Sequence, residues 1–361
     1  MRSIHYPVRV FIVVAAAAML ALSAFAGGDK EKEDDLMQTA LKQSVRSAGG
    51  TPFEMKVTGK VYGYAKPMDI EYETKWSAPN EWFDQMSFSG FVERRLAQGD
   101  KMWMQRNAGY EPLRAAMLHR MLDLMALHPP SDEELKGVDH HGKESCAKMA
   151  SDYDSYKLCF DDKGRLASEE RTSIILYPNS DFSTAPREHQ DPVKKVYQYS
   201  DYTDFNGRSY PKKLRVLEDG KPVVEAEVTE MKQMTPLAVG QVEAPKDIEP
   251  QAWCADPSPA YIAHFTRFLP RAGSMVGGFS TEGRLVVSGV IDPNGTFANQ
   301  SITLRSSRGL DDPIEMAMRD WKFQPAKCGD QAIPQDAFLD LHVEQRSGGA
   351  GVMDQGAQPH P

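Results

Sequence analysis

From Phe53 onward the apolar residues of this chain fall on alternate positions. Phe53, Met55, Val57 and Val61 are spaced by polar residues, followed by Met68, Ile70, Tyr72 and Trp76, by Met86 and Phe88, and later by Met102 and Met104. A period of two marks strands with one buried face. Lys66-Pro67, Pro79-Asn80 and Gly99-Asp100 punctuate the stretch as turns, so it predicts an antiparallel meander. The meander resumes over 146–149, 156–160, 166–175, 193–202, 212–218 and 222–231, with turns at Asp162-Lys163-Gly164, Asn206-Gly207 and Asp219-Gly220. The last turn joins alternating strands and is a two-residue hairpin signal.

Two stretches change period. Residues 31–47 place Leu36, Ala40, Leu41 and Val45 at helical spacing, and Gly49-Gly50 stops them. Residues 112–127 carry Leu113, Met117, Leu118, Met121, Leu122, Leu124, Met125 and Leu127. That helix is apolar around most of its circumference, which predicts burial on more than one side. Pro129-Pro130 ends it. Residues 247–257, inside a stretch holding Pro245 and Pro250, read as a linker between one unit over 30–246 and a second over 258–346. In the second unit Leu285, Val287, Gly289 and Ile291 alternate, Asp292-Pro293-Asn294-Gly295 turns, and a further strand runs over 301–305. A helix opens at Asp311-Asp312-Pro313 with Ile314, Ala317, Met318 and Trp321 on one face, and a last strand follows at 337–343. Residues 347–361 are rich in Gly, Gln and Pro and predict a flexible tail. The fold class expected is α+β.

The N-terminus sets the compartment. Arg2 and Arg9 precede the apolar run 10–22, and Ala24-Phe25-Ala26 is a small-x-small cleavage signature, so residues 1–26 read as a secretory signal peptide cut after Ala26. The run is short for a membrane span, and a retained leader would instead make an inner-membrane anchor. The expected location is therefore outside the cytoplasm. Loss of the leader moves the net charge from −9 to −11, and an acidic chain does not suit the phosphates of a nucleic acid. The 41% hydrophobic and 26% charged composition of the 361 residues excludes wholesale disorder.

Export makes disulfides the first expectation for Cys146, Cys159, Cys254 and Cys328. Four cysteines allow three connectivities; Cys146–Cys159 and Cys254–Cys328 are favoured because neither bridge then joins the first unit to the second. There is no Cys-x-x-Cys, and the spacings fit no zinc knuckle.

The first unit resembles the LolA/LolB-like group of periplasmic proteins. The carrying segments are Phe53-Glu54-Met55-Lys56-Val57-Thr58-Gly59, Gly99-Asp100-Lys101-Met102-Trp103, the hairpin from Gly142-Lys143 to Phe160-Asp161, and Asp204-Phe205-Asn206-Gly207 through Tyr210-Pro211 to Val228. The resemblance implies a curved antiparallel half-barrel with covering helices, whose interior holds acyl chains of lipid or lipoprotein. Met55, Val57, Met86, Phe88, Met102, Met117 and Met121 would line that interior. Methionine suits a surface that fits variable apolar shapes, and it equally suits plain core filling.

The second unit is similar to the C-terminal domain of the TonB energy-transducer family. The matching residues are Val290-Ile291-Asp292, Gly295, Ser306-Ser307, Leu310-Asp311 and Trp321-Lys322-Phe323-Gln324-Pro325-Ala326. The resemblance implies a small antiparallel sheet with helices on one face. Its last strand would be an edge that an extended peptide of an outer-membrane receptor, or of another envelope protein, joins by strand addition. Gln335, Phe338, Asp340, Leu341, His342 and Val343 are the expected partner-binding residues, with 338, 340 and 342 on one face and 339, 341 and 343 on the other. The long Pro-rich spacer of energy transducers is absent, and a cleaved chain cannot pull on a receptor. The alternatives are a membrane-anchored energy transducer, with the leader kept, and a structural envelope lipid carrier.

No catalytic constellation stands out, and no cofactor or metal is expected. Ser145-Cys146-Ala147-Lys148 matches Ser-x-x-Lys without its companion motifs. Asp139-His140-His141 reads as a solvated turn before a strand, since adjacent side chains on extended backbone diverge.

Overall fold

The computed structural model describes residues 36–125, 134–150, 155–176, 193–237, 242–254, 260–264, 283–305 and 311–343, except Met37, Leu41, Ala48 and Ser173. The expected leader, its cleavage site at Ala26 and the tail from 347 lie outside them. The order of elements is β1 (Phe53–Val61), β2 (Met68–Ala78), β3 (Glu81–Phe88), β4 (Phe91–Gln98), β5 (Lys101–Arg106), α1 (Leu113–Leu124), β6 (Glu134–His141), β7 (Glu144–Ala150), β8 (Ser155–Phe160), β9 (Leu166–Thr172) and β10 (Ile174–Leu176). After these come β11 (Lys194–Phe205), β12 (Arg208–Glu218), β13 (Lys221–Gln233), β14 (Gln251–Ala252), β15 (Tyr261–His264), β16 (Gly283–Ile291) and β17 (Phe297–Arg305). The chain ends with α2 (Asp311–Met318), β18 (Lys322–Gln324), β19 (Ala326–Cys328), β20 (Gln331–Ile333) and β21 (Gln335–Val343).

Thirteen strands form one sheet in the order β14-β5-β4-β3-β2-β1-β13-β12-β11-β9-β8-β7-β6. Every neighbouring pair in it is antiparallel. The hairpins follow their turn residues: Asn206-Gly207 and Asp219-Gly220 both adopt positive φ, the geometry of the tight turn that matches strand twist. The sheet does not close, since β14 and β6 end it. It is nonetheless strongly curled. Consecutive residues His119 and Arg120 of α1 reach Glu93 on β4 and Glu169 on β9, strands seven places apart. At about 4.8 Å per strand a flat sheet would separate them by roughly 34 Å. The sheet therefore wraps α1.

The expected helix over 112–127 is α1, and its burial on several sides is met: Ala115, Met117, Leu118, Met121 and Leu122 are all buried in one core with strands from both wings. A helical segment at 36–43 packs Leu36 and Ala40 onto the same core.

Three expectations are corrected. Residues 166–175 are not one strand but β9, in the large sheet, and β10, which leaves it. Asp139, His140 and His141 lie in strand β6, not in a turn; Asp139 pairs with Lys148 at 2.7 Å and His140 with Ser145 at 2.9 Å. Residues 247–257 contain β14, which pairs with β5, so this part of the linker is stitched into the large sheet.

The second sheet has the order β10-β21-β16-β17. Its core joins Leu285, Val287, Ile291, Phe297, Leu339 and Leu341 to Ile314 and Met318 of α2 and to Trp321 and Phe323. Both expected disulfides are present, Cys146–Cys159 between β7 and β8 and Cys254–Cys328 between the chain after β14 and β19. Among the described residues no helix is long and apolar enough to cross a membrane.

Candidate functional site

Six of the seven residues expected to line an interior meet around α1. Met55, Val57, Met86, Phe88, Met117 and Met121 are each at most 4% exposed and belong to one apolar cluster, with Met102 partly buried at its margin. Met117 and Met121 belong to α1 and share that cluster with the four strand residues, so the covering helix occupies the inside of the curl. Open space lies instead at the C-terminal end of α1. A shallow cleft there is lined by Ala40, Gln43, Met125, Leu166, Tyr199 and Tyr202, with Ser44, Arg165, Ser209 and Pro211. None of these was singled out by the alternation alone. The recoverable signal was the tyrosine ladder Tyr197-Tyr199 on β11, followed by Tyr202.

Sequence reasoning also missed the charged groups that hold α1 in place. The helix is apolar but carries Arg114, His119 and Arg120, and each finds an acid on the sheet. Arg114 reaches Glu218 at 3.1 Å. Arg120 donates to both oxygens of the fully buried Glu169 through Nε, at 3.2 and 2.8 Å. Burial would raise the Glu169 carboxyl, but Arg120 and Arg171 outweigh it and hold it at about 2. His119 hydrogen-bonds Glu111 and lies 3.7 Å from Glu93. Burial would lower this imidazole, yet the two carboxylates raise it and favour its charged form. Backbone groups add to the grip: Tyr199 donates to the Met121 carbonyl and Arg46 to that of Leu122, both at 3.2 Å.

Around His119 the network extends across the sheet. Arg95 bridges Asp84 at 3.2 Å and Glu93 at 3.8 Å, and Arg106 stands 3.5 Å from Glu93. Burial, and then the neighbouring Glu111, push the Glu93 carboxyl up. Glu93, Glu111 and His119 bring donor atoms within 4.8 Å of one another, a donor set that a divalent cation accepts. Arg95 and Arg106 already supply positive charge to Glu93, so these residues serve here as an ion-pair network.

The expected docking strand is β21. Leu339 and Leu341 point into the second core, and Asp340 on the opposite face is buried, bonded to Arg284 at 2.8 Å and paired with Lys195 of β11. Gln335 accepts a hydrogen bond from the Ala260 backbone at 2.6 Å. Phe338 is partly buried. The expectation that this strand ends its sheet is corrected over its last three residues. Leu341, His342 and Val343 are flanked by β10, which runs parallel to them.

No protein-family model matches the chain, and no curated protein does. Among solved structures it is similar to a LolA-superfamily protein from Nitrosomonas europaea, at 12% identity and a TM-score of 0.38, covering 58% of this chain and 97% of that one. It is also similar to a DUF1329-family protein from Desulfovibrio piger, at 10% identity and a TM-score of 0.37, covering 58% and 96%. A third is a domain from Vibrio parahaemolyticus named for outer membrane lipoprotein sorting, at 9% identity and a TM-score of 0.35, covering 56% and 93%.

Proposed function

We propose that this chain is an exported, non-enzymatic binding protein of the bacterial envelope that takes up an acyl chain, of a lipid or a lipoprotein, inside its curled sheet. The observation that carries this reading is the way the interior is filled. The methionine-bearing helix α1 covers it, pinned by ion pairs and bordered at its Met125 end by a cleft. Release of these contacts would expose a long apolar surface, and its methionines would suit a guest of variable shape. Fluorescent fatty acid titrated into delipidated protein should bind saturably, and mass spectrometry of the untreated protein should find co-purified lipid. Absence of both overturns the reading.

A second reading concerns β21, whose Gln335–Val343 edge would dock an extended peptide of an outer-membrane receptor or another envelope protein. It is favoured by the fact that β21 already accepts one extended segment, β10. The alternative of a membrane-anchored energy transducer requires an uncut leader. N-terminal sequencing of the expressed protein decides it: a Met1 start in the membrane fraction would establish the anchor.

A further inference from the structure

β10 has no place in the sheet its neighbours build. β9 pairs with β8 and β11 inside the large sheet up to Thr172, and two residues later the chain is paired with the second sheet. Its partners are fixed in register: Ile174 opposite Leu341, Ile175 opposite His342, Leu176 opposite Val343. On its other side β21 is paired with β16 along its whole length, from Gln335 opposite Ile291 to Val343 opposite Gly283. The two flanks of β21 are therefore unequal. One carries nine paired residues and the other three. Along Gln335–Asp340 the second flank has no strand partner among the described residues.

We infer that β10 is a tethered competitor for the docking edge of β21, and that an extended peptide running parallel to β21 must displace it to bind. This rests on the reading of β21 as a docking strand. Three features carry it. A three-residue parallel ladder is a weak hold, because parallel pairing is slightly less stable per residue and few bonds are made. Gln335–Asp340 gives an incoming strand a place to begin pairing before β10 has moved. A strand covering all nine residues then makes a longer ladder than the one it replaces. The sequence of β10 defines the kind of partner: an extended segment with large aliphatic residues, as in Ile174-Ile175-Leu176, at the end that meets Leu341–Val343. The tether makes β10 effectively concentrated at the edge, so weak partners are refused.

The test uses the full-length, disulfide-intact chain and a fluorescent synthetic peptide of its own residues 172–178, read by anisotropy. Ile175→Pro removes a backbone donor from β10 and disfavours its strand. The pair Ile174→Asp with Leu176→Asp weakens β10 without proline. Both variants should bind the peptide at least tenfold more tightly than the unaltered chain. In hydrogen exchange, amides of 341–343 should exchange faster in the variants, while those of 285–288 on β16 stay as they were. Equal peptide affinity in all three proteins would overturn the competitor role and leave the docking strand standing. No binding by folded variants that show the faster exchange would overturn docking itself, and the inference with it.

Discussion

Arg106 on β5 donates through one nitrogen, Nη1, to both carboxylate oxygens of Asp336 on β21, at 2.9 and 2.8 Å. The two residues are 230 positions apart, and their contact joins the large sheet to the small one. The same nitrogen stands 3.5 Å from Glu93, which faces His119 of the covering helix. One guanidinium thus touches both the network beneath α1 and the strand read as a docking edge. Arg284 makes a similar join, with Nη2 2.9 Å from Glu218 and Nε 2.8 Å from Asp340.

Breaking the Arg106–Asp336 pair on one side should be costly, because the remaining charge stays largely buried. Arg106→Met should lower stability by about 3 kcal/mol. Adding Asp336→Leu should restore part of that loss. Urea unfolding of the two single variants and the double variant measures the coupling, and strictly additive single effects would refute it.

Glu169 makes stability depend on pH in a defined direction. Its folded-state value, about 2, lies below the ordinary 4.5, so its contribution is complete above the ordinary value and is lost as the pH falls toward 2. At neutral pH the contribution is on the order of 3 kcal/mol. Glu169→Gln should be less stable than the unaltered chain at pH 7, and the gap should narrow steadily from pH 5 to pH 2. Parallel stability curves over that range would contradict the assignment.

Gly295 turns at φ +81, and a methyl group added there would collide with the Phe323 carbonyl oxygen. Gly295→Ala should therefore cost about 2–3 kcal/mol, strain and collision together. Gly220 has a similar φ of +76 and open space around it. Gly220→Ala should cost only about 1 kcal/mol. Thermal melts of the two variants separate the effects; equal losses would mean that the close approach contributes nothing.

The two disulfides close loops of different size, with sequence separations of 13 and 74. Chain entropy assigns about 3 kcal/mol to Cys146–Cys159 and about 4.5 kcal/mol to Cys254–Cys328. Replacing each pair by serine should therefore destabilise the chain in that order. Mass mapping under non-reducing conditions should recover these two links and no exchange between them.

Much of this architecture was legible in the sequence because its signals are local. Alternation at Phe53, Met55 and Val57, the turn pairs Asn206-Gly207 and Asp219-Gly220, and the apolar circumference of residues 113–124 each act within a few residues, where backbone geometry fixes the period. The cysteine pairing followed from the need to keep each bridge close to home. The sequence did not reveal that His119 and Arg120 reach opposite wings, since that depends on how far thirteen strands curl. Nor did it reveal the partners Glu93, Glu169 and Asp336, because a charge names no partner until folding brings one within a few ångströms. The break after Thr172 was hidden for the same reason. Ile174-Ile175-Leu176 follow the preceding strand with only Ser173 between, and only the tertiary arrangement decides that they pair with β21 instead of continuing beside β8.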